Sequence, residues 1–432
     1  MGFCADHEDV ASLCLTVLST LLENTKIDIS SVGFLCVGTE TLIDKSKSVK
    51  TQLMELFGDQ TDIEGVDVKN ACYGGTQALF HAVDWIYANW SNERRYAIVV
   101  MGDIAVYEAG PARCTGGAGA FAALIGPNAL FSIDKGLRAC HIANFWDFYK
   151  PVVGNSSEYA VVAGSESLRA YLSSVDSTYE RYLKKAVKLT KQDLNVDSFV
   201  ALLYHAPFCT LLKKALGRMV FSDFKNGRRK NTDSHSVLVP FLAMPYMDTL
   251  SNRDFSAAVV KFSQQTWLSK VEPNLFFNKR VGNMYTASLY AQLVAFLGRS
   301  ESLCSVQGHK MLLFSYGSGL ASAMFSITIN PSRSPDIINQ YEVMKKSSKA
   351  ASERLESRVK VSPERYTETL KMREELISCK VPYTPMALRM SNRAEFDLFP
   401  RTFYLKSIDN KWRRLYGQSD EKGLIDISAP SC

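Results

Sequence analysis

Residues 70–101 read NACYGGTQALFHAVDWIYANWSNERRYAIVVM. A short element ends at Asn70-Ala71-Cys72, and Gly74-Gly75 opens the next one. A long helix is predicted from Thr76 to about Ala88. Tyr96 to Met101 is then a nearly continuous apolar strand. A strand that is apolar at almost every position is buried on both faces, as in a parallel sheet covered by helices. Turn, helix and buried strand in succession point to an α/β fold.

Upstream, Val10, Leu13, Cys14, Val17, Leu18, Leu21 and Leu22 recur at helical spacing, which predicts a helix from about Asp6 to Asn24 with Asp6 as its cap. A strand follows at Val32 to Val37, then a helix near Val49 to Phe57. Downstream, Ala118 to Ile125 is a second buried strand. A helix is predicted around Leu168 to Leu189, and Ser198 to Tyr204 is a strand running into His205. Asn283 to Leu297 reads as a helix, and Met311 to Phe314 and Ala323 to Ile329 read as strands. The buried-strand and helix pattern thus occurs twice, without a residue-level repeat. From Pro331 the chain turns charged. Glu342 to Val359 is a weakly amphipathic helix, and Ser362-Pro363-Glu364 starts another. These charge blocks read as solvated helix faces, and the basic stretch Gly227 to Asn231 reads as an exposed loop.

The 432 residues, 46% hydrophobic and 22% charged, exclude a disordered, collagen-like or coiled-coil chain. A net charge of +6, from 50 Lys+Arg against 44 Asp+Glu, is too thin for a nucleic-acid groove. No apolar run approaches the ~18 residues of a membrane span. The amino terminus has no basic region followed by an apolar one, so no secretory signal is read. The ten cysteines show no CxxC and no metal-ligand clustering, as suits reduced intracellular thiols.

Five residues stand where chemistry could be done. Cys72 precedes a helix, where the dipole and free amides are expected to stabilise a thiolate. Gly74 and Gly75 are expected to let an acyl group come close. His205 ends an apolar strand and could donate to a carbonyl oxygen or tune a thiolate. Glu40 follows Gly38 at another strand end, where open α/β sheets keep functional groups. Asn283 and Ser318 sit in Gly-flanked turns. Taken singly, each also has a plain structural reading: a buried thiol, a satisfied core histidine, a loop glutamate, caps and turn residues.

Together they lie in runs that resemble 3-hydroxy-3-methylglutaryl-coenzyme A synthases. The runs are Gly38 to Thr41, Asp44 to Lys50, Asn70 to Gly75, Gly102 to Tyr107, Asp147 to Pro151, Val281 to Thr286 and Phe314 to Gly319. Phe403 to Leu405 and Arg413 to Gly417 complete the set. The resemblance implies a thiolase-like fold, two similar halves in a five-layer αβαβα arrangement, usually a homodimer. The halves are expected at residues 1–190 and 191–432, the second with a helical carboxyl-terminal extension. The implied reaction is a Claisen-type condensation of acetyl-CoA with acetoacetyl-CoA, as used in mevalonate, isoprenoid and sterol synthesis or in ketone-body formation. It implies coenzyme A thioesters as substrates, no prosthetic group, no metal, and no nucleic-acid or membrane partner. The location would be cytoplasmic, or mitochondrial if a leader precedes the chain. On the matching positions, Cys72 would take the acetyl group as a thioester. Glu40 would remove a proton from the acetyl methyl and act as acid afterwards. His205 would hold the acetoacetyl group and polarise its carbonyl. Thr115, Ser167, Lys214, Asn283 and Ser318 would contact substrate or coenzyme A. Tyr73, Asp103 and Asp147 would support the site.

The chain departs from the family at Thr210, where a Lys is usual, at Pro111 in place of Asn, and at Cys114 in place of Pro. The resemblance also implies a further amino-terminal segment, carrying the first strand of the first half and a coenzyme A-contacting Lys. That strand is expected inside its sheet, so that its absence exposes apolar edges on both neighbours, and the sequence is expected to be amino-terminally incomplete. Two other readings stand beside the active synthase. One is a catalytically impaired thiolase-fold subunit that binds coenzyme A or serves as a dimer partner. The other is a different acyl-condensing enzyme of this fold, which fits the Cys and His but not the specific runs.

Overall fold

A computed structural model describes residues 1–151, 158–229, 237–390 and 398–423. The first helix, α1, spans Val10–Thr25, and its cap is Asp9 rather than Asp6. Asp9 Oδ1 accepts from the Ser12 amide at 2.8 Å, and Ser12 Oγ accepts from the Asp9 amide at 3.1 Å, a reciprocal capping box. Asp6 is buried for another purpose. Its carboxylate accepts from the Tyr383 hydroxyl at 2.7 Å and from the amides of Met386 and Ala387. Periodicity places the helix correctly. It cannot say which of two nearby aspartates the distant carboxyl-terminal segment will claim.

The first sheet combines β1 (Val32–Gly38), β2 (Asp67–Val68), β3 (Tyr96–Ala105) and β4 (Gly117–Ile125) in the order β2-β1-β3-β4. Its connecting helices are α2 (Val49–Leu53) and α3 (Gly74–Glu93). β1 runs parallel to β2 and β3, and β4 runs antiparallel to β3. β1 is buried at every position, as its unbroken apolar run requires. β1 and β3 pair directly, from Val32↔Tyr96 to Gly38↔Met101. The expectation of apolar edges exposed on two inner neighbours is therefore wrong. The edges that no described strand covers are the outer edges of β2 and β4.

β5 (Phe131–Ile142) begins the second half. A small hairpin of β6 (Phe148–Tyr149) and β7 (Val161–Val162) follows, then α4 (Gly164–Thr190), β8 (Ala201–Tyr204) and α5 (Cys209–Lys225). After α6 (Ser288–Arg299) come β9 (Lys310–Gly317) and β10 (Ala321–Ile329). The second sheet has the order β5-β10-β9-β8, with β8 parallel to β9 and the other pairs antiparallel. The boundary expected at residue 190 would leave β5 and α4 with the first half. Both belong to the second: β5 pairs with β10, and α4 packs into the same core as α5. β5 escapes sequence reading because it is an edge strand of mixed polarity. Its Asp134 accepts from Thr328 Oγ1 at 2.6 Å and pairs with Lys310 at 3.2 Å, the polar finish that edge strands carry.

Five layers result. α1 and α2 cover the outer face of the first sheet. α3 and α6 fill the space between the sheets, with Phe80, Phe296, Met101 and Phe325 in one continuous core. α4 and α5 close the outer face of the second sheet. The charged region supplies α7 (Pro335–Glu356), α8 (Pro363–Ile377) and a two-stranded sheet of β11 (Phe403–Ile408) and β12 (Arg414–Gln418). Ser362 caps α8 as predicted. This region is more than a solvated face. Buried Arg373 donates to the carbonyls of Ala5 and Glu8 and pairs with Glu158 at 2.8 Å, and Arg414 and the Tyr416 hydroxyl hold Asp9. In the basic loop, Arg228 pairs with Glu180 and Asp223 and Arg229 pairs with Asp197. Lys230 and Asn231 lie outside the described residues.

Candidate active site

Cys72 sits on the turn between β2 and α3. Ala71 before it has φ +44°, a left-handed conformation uncommon for a residue with a side chain. The turn is clasped from the second half. A Cβ on Gly317, at the end of β9, would lie 2.4 Å from both the Asn70 carbonyl and the Tyr73 amide. Asn70 Nδ2 also donates to the Ser318 carbonyl at 3.3 Å. Gly74 and Gly75 do not open space for a ligand, contrary to expectation. A Cβ there would meet the Val68 carbonyl at 2.6 Å or Met101 Sδ at 2.9 Å, so these glycines admit protein instead.

Glu40 follows β1, as Cys72 follows β2, at the carboxyl ends of parallel strands. The Cys72 thiol donates to Glu40 Oε1 at 3.0 Å. Lys150 Nζ lies 3.7 Å from Glu40 Oε2 and 4.6 Å from the centre of the Tyr285 ring. Burial pushes the Glu40 carboxyl up to about 7, against the pull of the Lys150 ammonium. The Cys72 thiol is also pushed up, by burial first and by the charge of Glu40 second. The thiolate stabilisation expected from the helix terminus is therefore not what dominates. Desolvation and a neighbouring carboxylate outweigh a dipole effect of ordinary size, and the resting group is a thiol.

Asp103, at the end of β3, binds the site together. Its Oδ1 accepts from Thr39 Oγ1, the Glu40 and Thr41 amides and Thr41 Oγ1 at 2.8–2.9 Å. Its Oδ2 accepts from the Thr286 amide at 3.0 Å and from the Thr286 hydroxyl. One buried carboxylate thus joins the Glu40 loop to the segment that carries Asn283. Asn283 Oδ1 accepts from the Tyr285 amide at 2.9 Å, its Nδ2 reaches the Tyr107 hydroxyl at 3.5 Å, and its own amide donates to the Thr115 carbonyl at 2.8 Å. Thr115 meets the site through its backbone, because its hydroxyl donates to Ala112 at 2.7 Å.

His205 occupies the position in the second half that Glu40 occupies in the first, just past a strand parallel to its neighbour. Its amide donates to Phe314 at 2.8 Å and its carbonyl accepts from the Tyr171 hydroxyl at 2.7 Å. Burial pushes its imidazole down to about 3, so the ring is neutral near pH 7. Phe314 and Gly317 are three residues apart on β9, roughly 10 Å along the strand. His205 and the Cys72 turn therefore flank the same strand end. Asp147 shapes that end, accepting from the Tyr316 hydroxyl at 2.7 Å and the Gly319 amide at 2.9 Å. Tyr73 is buried, with its hydroxyl donating to Gln77 at 3.0 Å.

Ser167, in the first turn of α4, and Lys214, exposed on α5, make no described hydrogen bond or ion pair with this cluster. Thr210 is exposed near the start of α5. Cys114 is exposed, its thiol 3.5 Å from the Pro111 carbonyl. Lys150, Tyr107 and Tyr285 were not singled out from sequence. Lys150 lies within the Asp147 to Pro151 run, but no spacing rule carries it to Glu40. Among the described residues no group of three or more His, Cys, Asp or Glu could hold a metal.

Comparison with known proteins finds one family along residues 1–419. Residues 1–130 match the family described as "Hydroxymethylglutaryl-coenzyme A synthase N terminal", and residues 131–419 match its "C terminal" counterpart. The chain is 44% identical to the hydroxymethylglutaryl-CoA synthase of Caenorhabditis elegans over 98% of this chain and 86% of that protein. It is 44% identical to the mitochondrial enzyme of Sus scrofa, over 97% and 81%, and 41% identical to the cytoplasmic enzyme of Homo sapiens, over 97% and 79%. A solved structure, MvaS in complex with 3-hydroxy-3-methylglutaryl coenzyme A, superposes with a TM-score of 0.76 at 28% identity, covering 97% of this chain and 89% of that one.

Proposed function

The chain belongs to the hydroxymethylglutaryl-coenzyme A synthase family, and from that premise we propose how its own residues divide the condensation. The enzyme is an acyltransferase that joins acetyl-CoA, acetoacetyl-CoA and water into 3-hydroxy-3-methylglutaryl-CoA and free CoA. The observation that carries the assignment is the 3.0 Å contact between the Cys72 thiol and Glu40. In the first step Cys72 sulfur attacks the acetyl carbonyl, and the thiol proton leaves with the departing CoA. Acetylation removes the proton that Glu40 Oε1 was accepting. Oε1 is then left beside the thioester, within reach of its methyl group. A carboxylate with its pKa near neutrality is basic enough to take a methyl proton and still ionised often enough to do so.

The resulting carbon attacks the ketone of acetoacetyl-CoA. Neutral His205 donates an N–H to that ketone oxygen as charge develops on it, and the alkoxide takes the proton held by Glu40. Water then hydrolyses the Cys72 thioester, restoring the thiol and releasing the product carboxylate. Asn283, Ser318 and Thr115 border the same strand ends, which supports their contact with substrate. Ser167 and Lys214 are assigned to the outer coenzyme A path on the resemblance alone. The substrates are coenzyme A thioesters, and no prosthetic group enters the chemistry. A homodimer, and a location that is cytoplasmic or, if a leader precedes the chain, mitochondrial, belong to the same proposal. The nine described cysteines are all free thiols, as a reducing compartment allows, and no described helix is long and apolar enough to cross a membrane. Light scattering and fractionation of the native protein test these two points.

The central test is loss of acetoacetyl-CoA on adding acetyl-CoA, with Cys72→Ala beside the wild type. The variant is expected to lose at least ~10³-fold in rate, and an acetyl group should be trapped on Cys72 by mass spectrometry. Equal rates for the two proteins would overturn the assignment.

A further inference from the structure

Glu40 is held at both oxygens, and each partner comes from a different element. Oε1 receives the Cys72 thiol at 3.0 Å, and Oε2 faces the Lys150 ammonium at 3.7 Å. Lys150 follows β6, and its ammonium lies 4.6 Å from the Tyr285 ring centre and 5.9 Å from that of Phe148. Those rings are themselves fixed. Phe148 packs edge-on against Tyr285 at 5.9 Å, and the Tyr285 amide is bound by Asn283 Oδ1. An ammonium seated on an aromatic face is held by the ring quadrupole as well as by the carboxylate. Lys150 is the only described cation within 4 Å of Glu40, whose side chain is 5% exposed. The other ionisable groups that face Glu40 are Cys72 before α3, Asp103 on β3, Tyr107 and Tyr285.

Acetylation breaks this symmetry, because the thioester sulfur no longer donates to Oε1. From that moment one oxygen of Glu40 is unrestrained, just when it must meet a methyl proton. We propose that Lys150 is a positioning residue for Glu40, anchoring Oε2 so that Oε1 stays aimed at the acetyl methyl after the thiol hydrogen bond has gone. The proposal rests on the reading of Glu40 as the base. The proton passes from the methyl carbon to Glu40 Oε1 and on to the alkoxide, and Lys150 stays charged throughout. The same ammonium favours the ionised form of Glu40 against Asp103, so it also sets how far down in pH the base survives.

The test compares Lys150→Met, which keeps the stem and loses the charge, with Lys150→Arg, which keeps the charge. Acetyl-enzyme is measured by mass spectrometry after mixing with acetyl-CoA alone. Condensation is measured in a single turnover after adding acetoacetyl-CoA. Lys150→Met is expected to acetylate to the wild-type level, to condense at least ~10-fold more slowly at pH 7, and to show the acid limb of its condensation profile at higher pH. Lys150→Arg is expected to recover most of the rate and the wild-type limb. Unchanged condensation and limb in Lys150→Met would overturn the proposal, and so would an equal loss of acetylation and condensation. If Lys150→Met does not fold, a Lys150→Arg limb displaced as far as that of Lys150→Gln overturns it equally. Glu40→Gln separates the two levels. If it still condenses, the base assignment fails. If it is inactive while Lys150→Met behaves as wild type, only the role of Lys150 fails.

Discussion

Glu40 and His205 stand at matching places in the two halves. Each follows a buried strand that runs parallel to the central strand of its sheet, β1 beside β3 and β8 beside β9. Burial acts on both, with opposite results: the carboxyl is pushed up to about 7 and the imidazole down to about 3. Removal from water disfavours whichever form is charged, so one principle leaves a carboxyl that titrates near neutrality in one half and a neutral imidazole in the other. The difference between them is the neighbour. Glu40 has the Lys150 cation at 3.7 Å to hold back part of the shift, whereas burial is the sole cause for His205. A repeated topology thus places two groups, and local packing decides what each can do.

The comparison can be broken at several points. Glu40→Gln should give the largest effect, a fall in condensation of about 10²–10⁴-fold with acetyl-Cys72 still detectable. In the wild type, condensation should decline as pH falls below about 7, because Glu40 must be ionised to act, and no separate limb from His205 should appear between pH 5 and 8. His205→Ala should lower kcat/KM for acetoacetyl-CoA by about 10²–10³-fold, the worth of one donor to a developing oxyanion. His205→Gln, which keeps an N–H, should lose less.

Stability sharpens the same contrast. The unfolded chain ionises Glu40 near 4.5 and the native chain only near 7, so this group's contribution to stability falls as pH rises between them. For His205 the unfolded chain takes up a proton near 6.5 and the native chain only near 3, so stability falls as pH drops through that range. Melting temperature against pH should flatten at its acid side in His205→Gln and at its neutral side in Glu40→Gln. Asp103→Asn should cost about 2–3 kcal/mol, because an amide NH₂ would replace an acceptor facing the Thr41 or Thr286 donors. Denaturant unfolding measures that cost.

The smallest effect concerns an edge strand of the first sheet and an inner strand of the second. β10 lies between β9 and β5 and is buried at eight of nine positions. β4, also nine residues, pairs among the described strands with β3 alone and is buried at one position. Hydrogen exchange should therefore be faster in β4 than in β10. Equal protection would show that the free edge of β4 is covered in solution.

Much of this was legible in the sequence. The buried strands could be placed because a strand covered on both faces must be apolar throughout. Cys72, Glu40 and His205 could be singled out because each stands at an element boundary next to such a strand or a glycine turn. Other features were not legible. β5 hides its strand character because an edge carries polar residues. Asp6 and Asp9 are three residues apart and both fit a helix start, and the choice belongs to Tyr383, Met386 and Ala387. Gly74 and Gly75 look like room for a substrate until Val68 and Met101 are seen to fill it.

By itself, then, the sequence determined the alternation of helices and strands and its occurrence twice over, and it marked Cys72, Glu40 and His205 as candidates at strand ends and turns. These follow from local patterns of apolar side chains and glycine. The tertiary structure alone decided that Cys72 rests as a thiol, that Glu40 is poised near neutrality with Lys150 behind it, and that Asp103 fastens the Glu40 loop to Thr286, 183 residues away. Desolvation and charge depend on what surrounds a group in space, and that surrounding is assembled from segments that no local pattern connects.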